Sequence, residues 1–323
     1  MAVSKKLSGT VDGENVEGWV FVKDIQVKTT KNNDPYLRIL GLDVTGVMVT
    51  VNIWPNKGDN EVPDIAIHQV WFVKGSLYKA ESGVMMVSAR APECRLVPDG
   101  EAKDDFLAVC IPSIPAEDLG RYTAYLQEIA GCFSSLELIE VSHILWSHMA
   151  PYLPTCPAGV KVHEPFRGGL AKHLYEVIQI LDNPVFKQWG VNRDILLFSA
   201  LYHDIGKTLV YDNLLSAKPN AALTSHTFES VRVFLEAAKT CALPENITLQ
   251  IQHCIVSHHG EYAEIKPATR EARTLHHADM MASSLGHLDE VKRTATNIDA
   301  HGFVFDGLWK QQVWFPEVLA NNN

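Results

Sequence analysis

Near residue 100 the hydrophobic rhythm of the chain changes, and that change restricts the architectures open to it. Before it, apolar residues recur at every second position. In VTGVMVTVNIW, Val47, Val49, Val51 and Ile53 share one face, the pattern of a half-buried strand. VEGWVFVKDIQVKTT, PYLRILGLDV, HQVWFVKGSLYKA and GVMMVSARAPECRLV are similarly rich in β-branched and aromatic residues, and KNND between the first two is a hairpin-type turn. Five short strands in roughly ninety residues, with a long connection between the third and fourth, suit a small barrel of the oligonucleotide/oligosaccharide-binding (OB) kind. A generic β-sandwich is the competing arrangement. VPDGEAKDD, residues 97–105, is polar and carries Pro and Gly, so a linker is expected there. From residue 115 the period is helical, with candidate helices at 116–132, 135–150, 168–182, 193–206, 225–240, 245–259 and 269–287. The expectation is a multidomain chain: an all-β OB-type barrel over 1–100, a linker over 101–114 and an all-α domain over 115–323.

Apolar residues at 46% and charged residues at 20% suit a packed, soluble chain of 323 residues rather than a disordered one. No apolar run approaches the ~18 residues that would span a bilayer, and MAVSKKLSGT lacks the apolar stretch of a secretion signal. Six cysteines without CxxC spacing suggest reduced thiols and a cytoplasmic protein. A net charge of −10 argues against non-specific coating of nucleic acid, although residues 1–57 carry seven Lys/Arg against six Asp/Glu and leave room for a local basic groove.

Histidine is distributed unevenly: of fourteen, all but His68 follow residue 140. The helical pattern turns several of them inward. His173 shares a face with Val177 and Ile180, while His203 and Asp204 each lie seven residues after a leucine, Leu196 and Leu197. His258 continues the stripe Ile247, Ile251, Cys254 and Ile255, Asp279 follows His276 by three, and His226 opens a helix after the N-cap candidates Thr224 and Ser225. One histidine on an apolar face is ordinarily a core residue. Several helices each presenting His or Asp inward suggest a metal, and this ligand mixture suits Mn, Fe, Zn or Co better than calcium. In the word HDIGK, Gly206 is expected to end a helix through a left-handed cap. Lys207 could then reach a phosphate oxygen, or simply interact with the helix end.

The ordered set His173, His203–Asp204, His226, His258–His259 and Asp279 resembles the HD-domain metal-dependent phosphohydrolase superfamily. HEPFRGGLAKHLYEV, LLFSALYHDIGK, SHHGEY and LHHADMM, with the barrel-like segment before them, look like the YhaM-type 3′-to-5′ exoribonucleases over residues 17 to 290. That resemblance implies a helical HD domain over 115–323 holding two divalent transition-metal ions, manganese foremost, with Fe, Co, Zn or Ni as others. His173, His203, Asp204 and Asp279 would hold the first. Asp204 would bridge to a second held by His226 and His258, with His259 a further candidate. The implied activity is 3′-to-5′ exonuclease hydrolysis of phosphodiester bonds in single-stranded RNA, with DNA a further substrate. Lys207 and Arg167 would offset charge on the phosphate, and His163 or His259 would protonate the leaving 3′-oxygen. The barrel would bind the strand, with Phe21, Lys23, Lys28, Tyr36 and Arg38 as candidates and Trp54 taken as barrel core. No membrane partner is expected, and a homo-oligomer is left open. The chain departs from the family at Glu164, where a second histidine is common, at Arg167, where a small apolar residue is usual, and at Ala282, where a second aspartate is usual.

Three other readings compete. An HD-type phosphohydrolase acting on nucleotides or cyclic dinucleotides would have little use for a strand-binding barrel. A non-catalytic binding module would be expected to have lost Asp204 or Asp279. A di-iron oxygenase could use the same ligand set, but Lys207 and the barrel favour phosphate esters.

Overall fold

In the computed structural model the residues described are 5–56, 62–80, 83–160, 164–295, 298–299 and 301–316. Strands β1 (Asn15–Thr29), β2 (Pro35–Leu42), β3 (Met48–Trp54), β4 (Val70–Lys79) and β5 (Met85–Leu96) close into a barrel in the order β1-β2-β3-β5-β4. Every neighbouring pair is antiparallel except β3 and β5, which run parallel. The result is OB-like, as the strand spacing suggests. Alternation places Leu37 and Ile39, then Val49, Val51 and Ile53, and Val87 and Ala89, in the barrel core.

Asp43 pins the amino-terminal segment to the barrel. Its Oδ2 accepts from the Leu7 and Ser8 amides, both at 2.9 Å, and its Oδ1 accepts from the Thr45 amide at 2.8 Å. Burial opposes ionisation, but the hydrogen bonds from Thr45 and Ser8 prevail and hold the carboxyl below its ordinary range.

Residues 101–114, expected as a linker, contain helix α1 (Glu101–Cys110). Its buried residues are Phe106 and Cys110, four positions apart within an unbroken apolar run, FLAVCI, that shows no helical period. Phe106 meets Trp19 of β1 edge-on at 5.6 Å between ring centroids. The chain separates into two compact units, residues 1–112 and 113–323.

The second unit contains α2 (Ala116–Ala130), α3 (Leu136–Met149), α4 (Gly169–Leu181), α5 (Val185–Gln188), α6 (Arg193–Tyr202), α7 (Lys207–Val210), α8 (His226–Thr240), α9 (Glu245–Ser257) and α10 (Arg270–Thr294). Helix α6 is central, since every residue from Ile195 to Tyr202 is buried, and the unit's core forms around it. The all-α expectation needs one correction. A hairpin of β6 (Phe303–Asp306) and β7 (Gln311–Trp314) follows α10, and its Val304 and Val313 pack with Phe315 against Leu288 and Val291. Two four-residue strands are too short for their alternation to emerge from the flanking turns. No described helix is long and apolar enough to cross a membrane.

Candidate metal centre

Two helices of the second unit end in the same manner, and this sets up the site. Helices α6 and α9 stop at Tyr202 and Ser257, and His203 and His258 are their C-caps. The last carbonyls of a helix lack amide partners. His203 Nδ1 lies 2.8 Å from the Ala200 carbonyl, and His258 Nδ1 lies 2.6 Å from that of Ile255. A carbonyl only accepts, so each Nδ1 donates its proton and each Nε2 faces inward with no hydrogen bond.

Asp204 lies between two groups of imidazoles. Its Oδ2 is 3.3 Å from His203 Nε2 and 3.6 Å from His173 Nε2, while its Oδ1 is 3.5 Å from His226 Nε2 and 3.8 Å from His258 Nε2. Asp279, from α10, brings Oδ1 to 3.0 Å from His173 Nε2 and 3.7 Å from His203 Nε2. His259 joins His226 and His258 in a third-sided group, with its ring centroid 4.0 Å from that of His258. Three overlapping sets, His173/His203/Asp204, His203/His258/Asp279 and His226/His258/His259, each bring their donor atoms within 4.8 Å of one another.

Gly206 explains how α8 reaches this cluster, and it corrects the expected left-handed cap. Its φ of −61° is ordinary right-handed backbone. A Cβ there would lie 2.1 Å from the His226 carbonyl oxygen and 2.6 Å from the Ser230 amide nitrogen. Only glycine permits that approach, and the Gly206 amide donates to Ser230 Oγ at 2.9 Å. Ser225 caps α8 by accepting from the Phe228 amide, so His226 begins the helix facing Asp204.

The charges are strongly coupled. Burial opposes ionisation of Asp204, but Lys207 and His203 hold its carboxyl well below the usual range. Burial likewise opposes Asp279, which His173 and His203 keep well below that range. Burial would discharge His203, yet Asp204 and Asp279 push it up to about 10. By contrast burial takes His226 down to about 4 and His258 and His259 below the ordinary imidazole value, leaving these three neutral at pH 7. Neutral imidazoles with inward Nε2 atoms, around two ionised carboxylates, fit divalent transition cations.

The other expected site residues are placed as follows. Lys207 is 5% exposed, and its Nζ is 2.6 Å from Asp204 Oδ2, so its charge is directed at the carboxylate. Arg167 Nε donates to the Asn213 carbonyl at 3.0 Å. His163 lies outside the described residues. On the barrel, Phe21 is a correction: it is fully buried, stacked on His68 at 5.9 Å, and cannot offer its ring to a base. Trp19, two residues away on the same strand face, lies against Phe106 of α1. Trp54 is corrected in the opposite sense. It is half-buried on the outer face, stacked on Tyr36 at 4.5 Å, with Nε1 donating to Ser88 Oγ at 3.0 Å. Lys28 pairs across the strands with Tyr36, and the Arg38 guanidinium lies 5.9 Å from the Tyr36 ring centre. Lys23 occupies the β1 irregularity between Val22 and Asp24, its Nζ 5.6 Å from the Phe21 ring centre.

In the sequence Glu164 stands out only as a departure from the family pattern. It is 1% exposed, and its Oε1 accepts from Lys172 Nζ at 2.7 Å. Burial raises its carboxyl to about 7 against the pull of His173 and Lys172. Burial also opposes the Lys172 charge, but Glu164 and Glu176 raise its pKa further still. The 2.7 Å between Lys172 Nζ and Glu164 Oε1 is the spacing of a charge-assisted hydrogen bond.

The HD domain family matches residues 170–283, the stretch that supplies every group of the cluster. The 3′-5′ exoribonuclease YhaM of Listeria innocua is 24% identical over 90% of this chain and 91% of its own length. The proteins of the same name from Shouchella clausii and Geobacillus sp. are 25% and 24% identical, each over 86% of this chain and 86% and 85% of their own. The chain therefore carries an HD domain behind an OB-like barrel and is a homologue, nearly end to end, of the proteins named 3′-5′ exoribonuclease YhaM.

Proposed function

We propose that the chain is a metal-dependent phosphodiesterase that shortens single-stranded RNA from its 3′ end and accepts DNA as a further substrate. The observation that carries this reading is Asp204, whose two oxygens face different sets of imidazoles, so that one carboxylate would serve both groups of metal ligands. His173, His203, Asp204 and Asp279 would hold one ion, and Asp204, His226 and His258, with His259 alongside, the other. When bound, two such cations neutralise phosphate charge and supply a nucleophile from water at neutral pH, manganese being the foremost choice.

The residues contribute distinct functions. The Ala200 and Ile255 carbonyls fix the tautomers of His203 and His258 and keep both Nε2 atoms available. Lys207 keeps Asp204 ionised in a buried setting. His259, neutral at pH 7, suits ligation better than donation of a proton to the leaving oxygen. The homologues' name supports an RNA substrate. The barrel supports a strand-binding role, since Tyr36 and Trp54 form a stacked pair beside Lys28 and Arg38, and base stacking on such aromatics contributes ~1–3 kcal/mol per base.

Incubation of the Mn2+-reconstituted full chain with end-labelled RNA and DNA oligomers tests the reading. A ladder that shortens from the 3′ end is expected. Hydrolysis of mononucleotide esters or cyclic dinucleotides with oligomers left intact would replace it with the nucleotide phosphohydrolase alternative.

A further inference from the structure

His173 differs from the other inner imidazoles in its place on a helix. His203 and His258 stand at helix ends, where spare carbonyls accept their Nδ1 protons. His173 stands inside α4, where carbonyls are committed to the helix itself. Fixing its tautomer therefore calls for an acceptor from another segment.

Glu164 faces that ring. Its Oε2 is 3.6 Å from His173 Nδ1, a charge contact longer than a hydrogen bond. The same oxygen is buried and accepts no hydrogen bond, whereas Oε1 is engaged by Lys172. Lys172 Nζ is also 2.7 Å from Glu176, so the counter-charge is itself held from two sides. The seat for this carboxylate is specific. Glu164 adopts φ +49°, a conformation uncommon outside glycine. Gly286, deep within α10, leaves a notch in which an added Cβ would press on Glu164 Oε1 at 3.2 Å and Cδ at 3.4 Å. Glycine is disfavoured inside helices, and here its absent side chain accommodates the carboxylate.

We propose that Glu164 is a positioning residue for His173, its Oε2 holding the Nδ1 proton so that Nε2 is directed at Asp204 and Asp279 as a ligand atom. The inference rests on the metal-centre reading above. Carboxylate partners of ligating histidines fix ring orientation and raise donor strength. His173 would thus be served by a carboxylate, and His203 and His258 by backbone carbonyls.

The test uses the full chain stripped of metal and titrated with Mn2+, free ion being followed by its electron paramagnetic resonance signal. Glu164→Gln should weaken one site by about 10–100-fold and leave the other unchanged. The amide replaces one carboxylate oxygen by an NH2 group, so with its oxygen turned to Lys172 it presents a donor, not an acceptor, to His173 Nδ1. Adding Lys172→Met frees that oxygen for Nδ1 and should restore most of the affinity. In the Zn2+-loaded, 15N-labelled protein, the wild-type His173 Nδ1 should show the shift of a protonated nitrogen. Thermal unfolding of the metal-free variants reports separately on folding. Wild-type affinity in Glu164→Gln would overturn the proposal and leave the metal centre standing. Loss of affinity without recovery in the double variant, together with a lowered melting temperature, would reduce Glu164 to an anchor for its loop. Less than one equivalent of Mn2+ on the wild type would overturn the metal-centre reading, and this inference with it.

Discussion

Lys207→Met removes a charge from the centre while keeping the apolar stem in place. Lys207 and Asp204 are 5% and 1% exposed and 2.6 Å apart, so Asp204 would be left as a buried carboxylate without its strongest cationic neighbour. Breaking a buried pair from one side costs about 3–5 kcal/mol. In a unit of roughly 200 residues each kcal/mol moves the melting temperature by ~2–4 °C, which gives a drop of ~6–20 °C for the metal-free variant. Saturating Mn2+ supplies positive charge to the same carboxylate, so the difference between the two proteins should shrink with metal. The sign of the pH effect follows from Asp204. Its lowered folded pKa contributes stability above the unfolded value of about 3.9, and this is lost as pH falls through the folded value. Without Lys207 the folded pKa rises, and protonation relieves the buried charge at a higher pH. The gap should therefore narrow from pH 7 toward mildly acidic pH. Scanning calorimetry of the chelator-treated full chain measures all three effects. A metal-free variant melting within ~2 °C of wild type at pH 7, or a gap that widens on acidification, would refute the reasoning.

Asp204→Ala should abolish Mn2+ binding at both groups, whereas His226→Ala should retain one equivalent, as counted by titration. Tyr36→Ala should weaken single-stranded RNA binding by ~1–3 kcal/mol in an anisotropy assay. Phe21→Ala should instead destabilise the barrel by ~3–5 kcal/mol in denaturant, without a direct effect on RNA affinity of the folded protein. Asp43→Asn removes a charged acceptor from the Leu7 and Ser8 amides and should cost about 1.5–3 kcal/mol of barrel stability at pH 7. Because the Asp43 carboxyl is held below its ordinary range, that cost should fade only as pH drops below ~4, where the wild-type carboxylate is also protonated.

Much of this architecture is legible in the sequence because its signals are periodic. The five strands lie where alternation puts them, and α4, α8 and α9 begin and end within two residues of the apolar stripes that carry His173, His226 and His258. What escapes depends on particular neighbours. Phe21 sits in a segment whose alternation leaves both faces open to interpretation, and its burial follows from local packing that includes a stack on His68. Trp54 is apolar enough for a core, and only the register that sets Tyr36 beside it turns it outward. Gly206 carries the signature of a helix cap, yet its necessity comes from α8, twenty residues further on. Lys207 could be expected near a phosphate, but spacing alone does not reveal that Asp204 claims its ammonium. Glu164 and Gly286 are 122 positions apart, and neither suggests the other until the carboxylate is seen in its notch.

The shared ending of α6 and α9 has an electrostatic consequence for the order of binding. Each helix brings its macrodipole's negative pole, equivalent to about half an elementary charge, to the residues beside Asp204. Lys207 and His203 offset the charges of Asp204 and Asp279, so the two poles tip the balance toward cations and against an approaching phosphodiester. Because the poles are buried, added salt screens this field far less than it screens the barrel's exposed lysines. Cations should therefore enter before the scissile phosphate. In the metal-free protein an oligonucleotide should leave the imidazoles of the centre unperturbed, and divalent ions should be needed before it engages them.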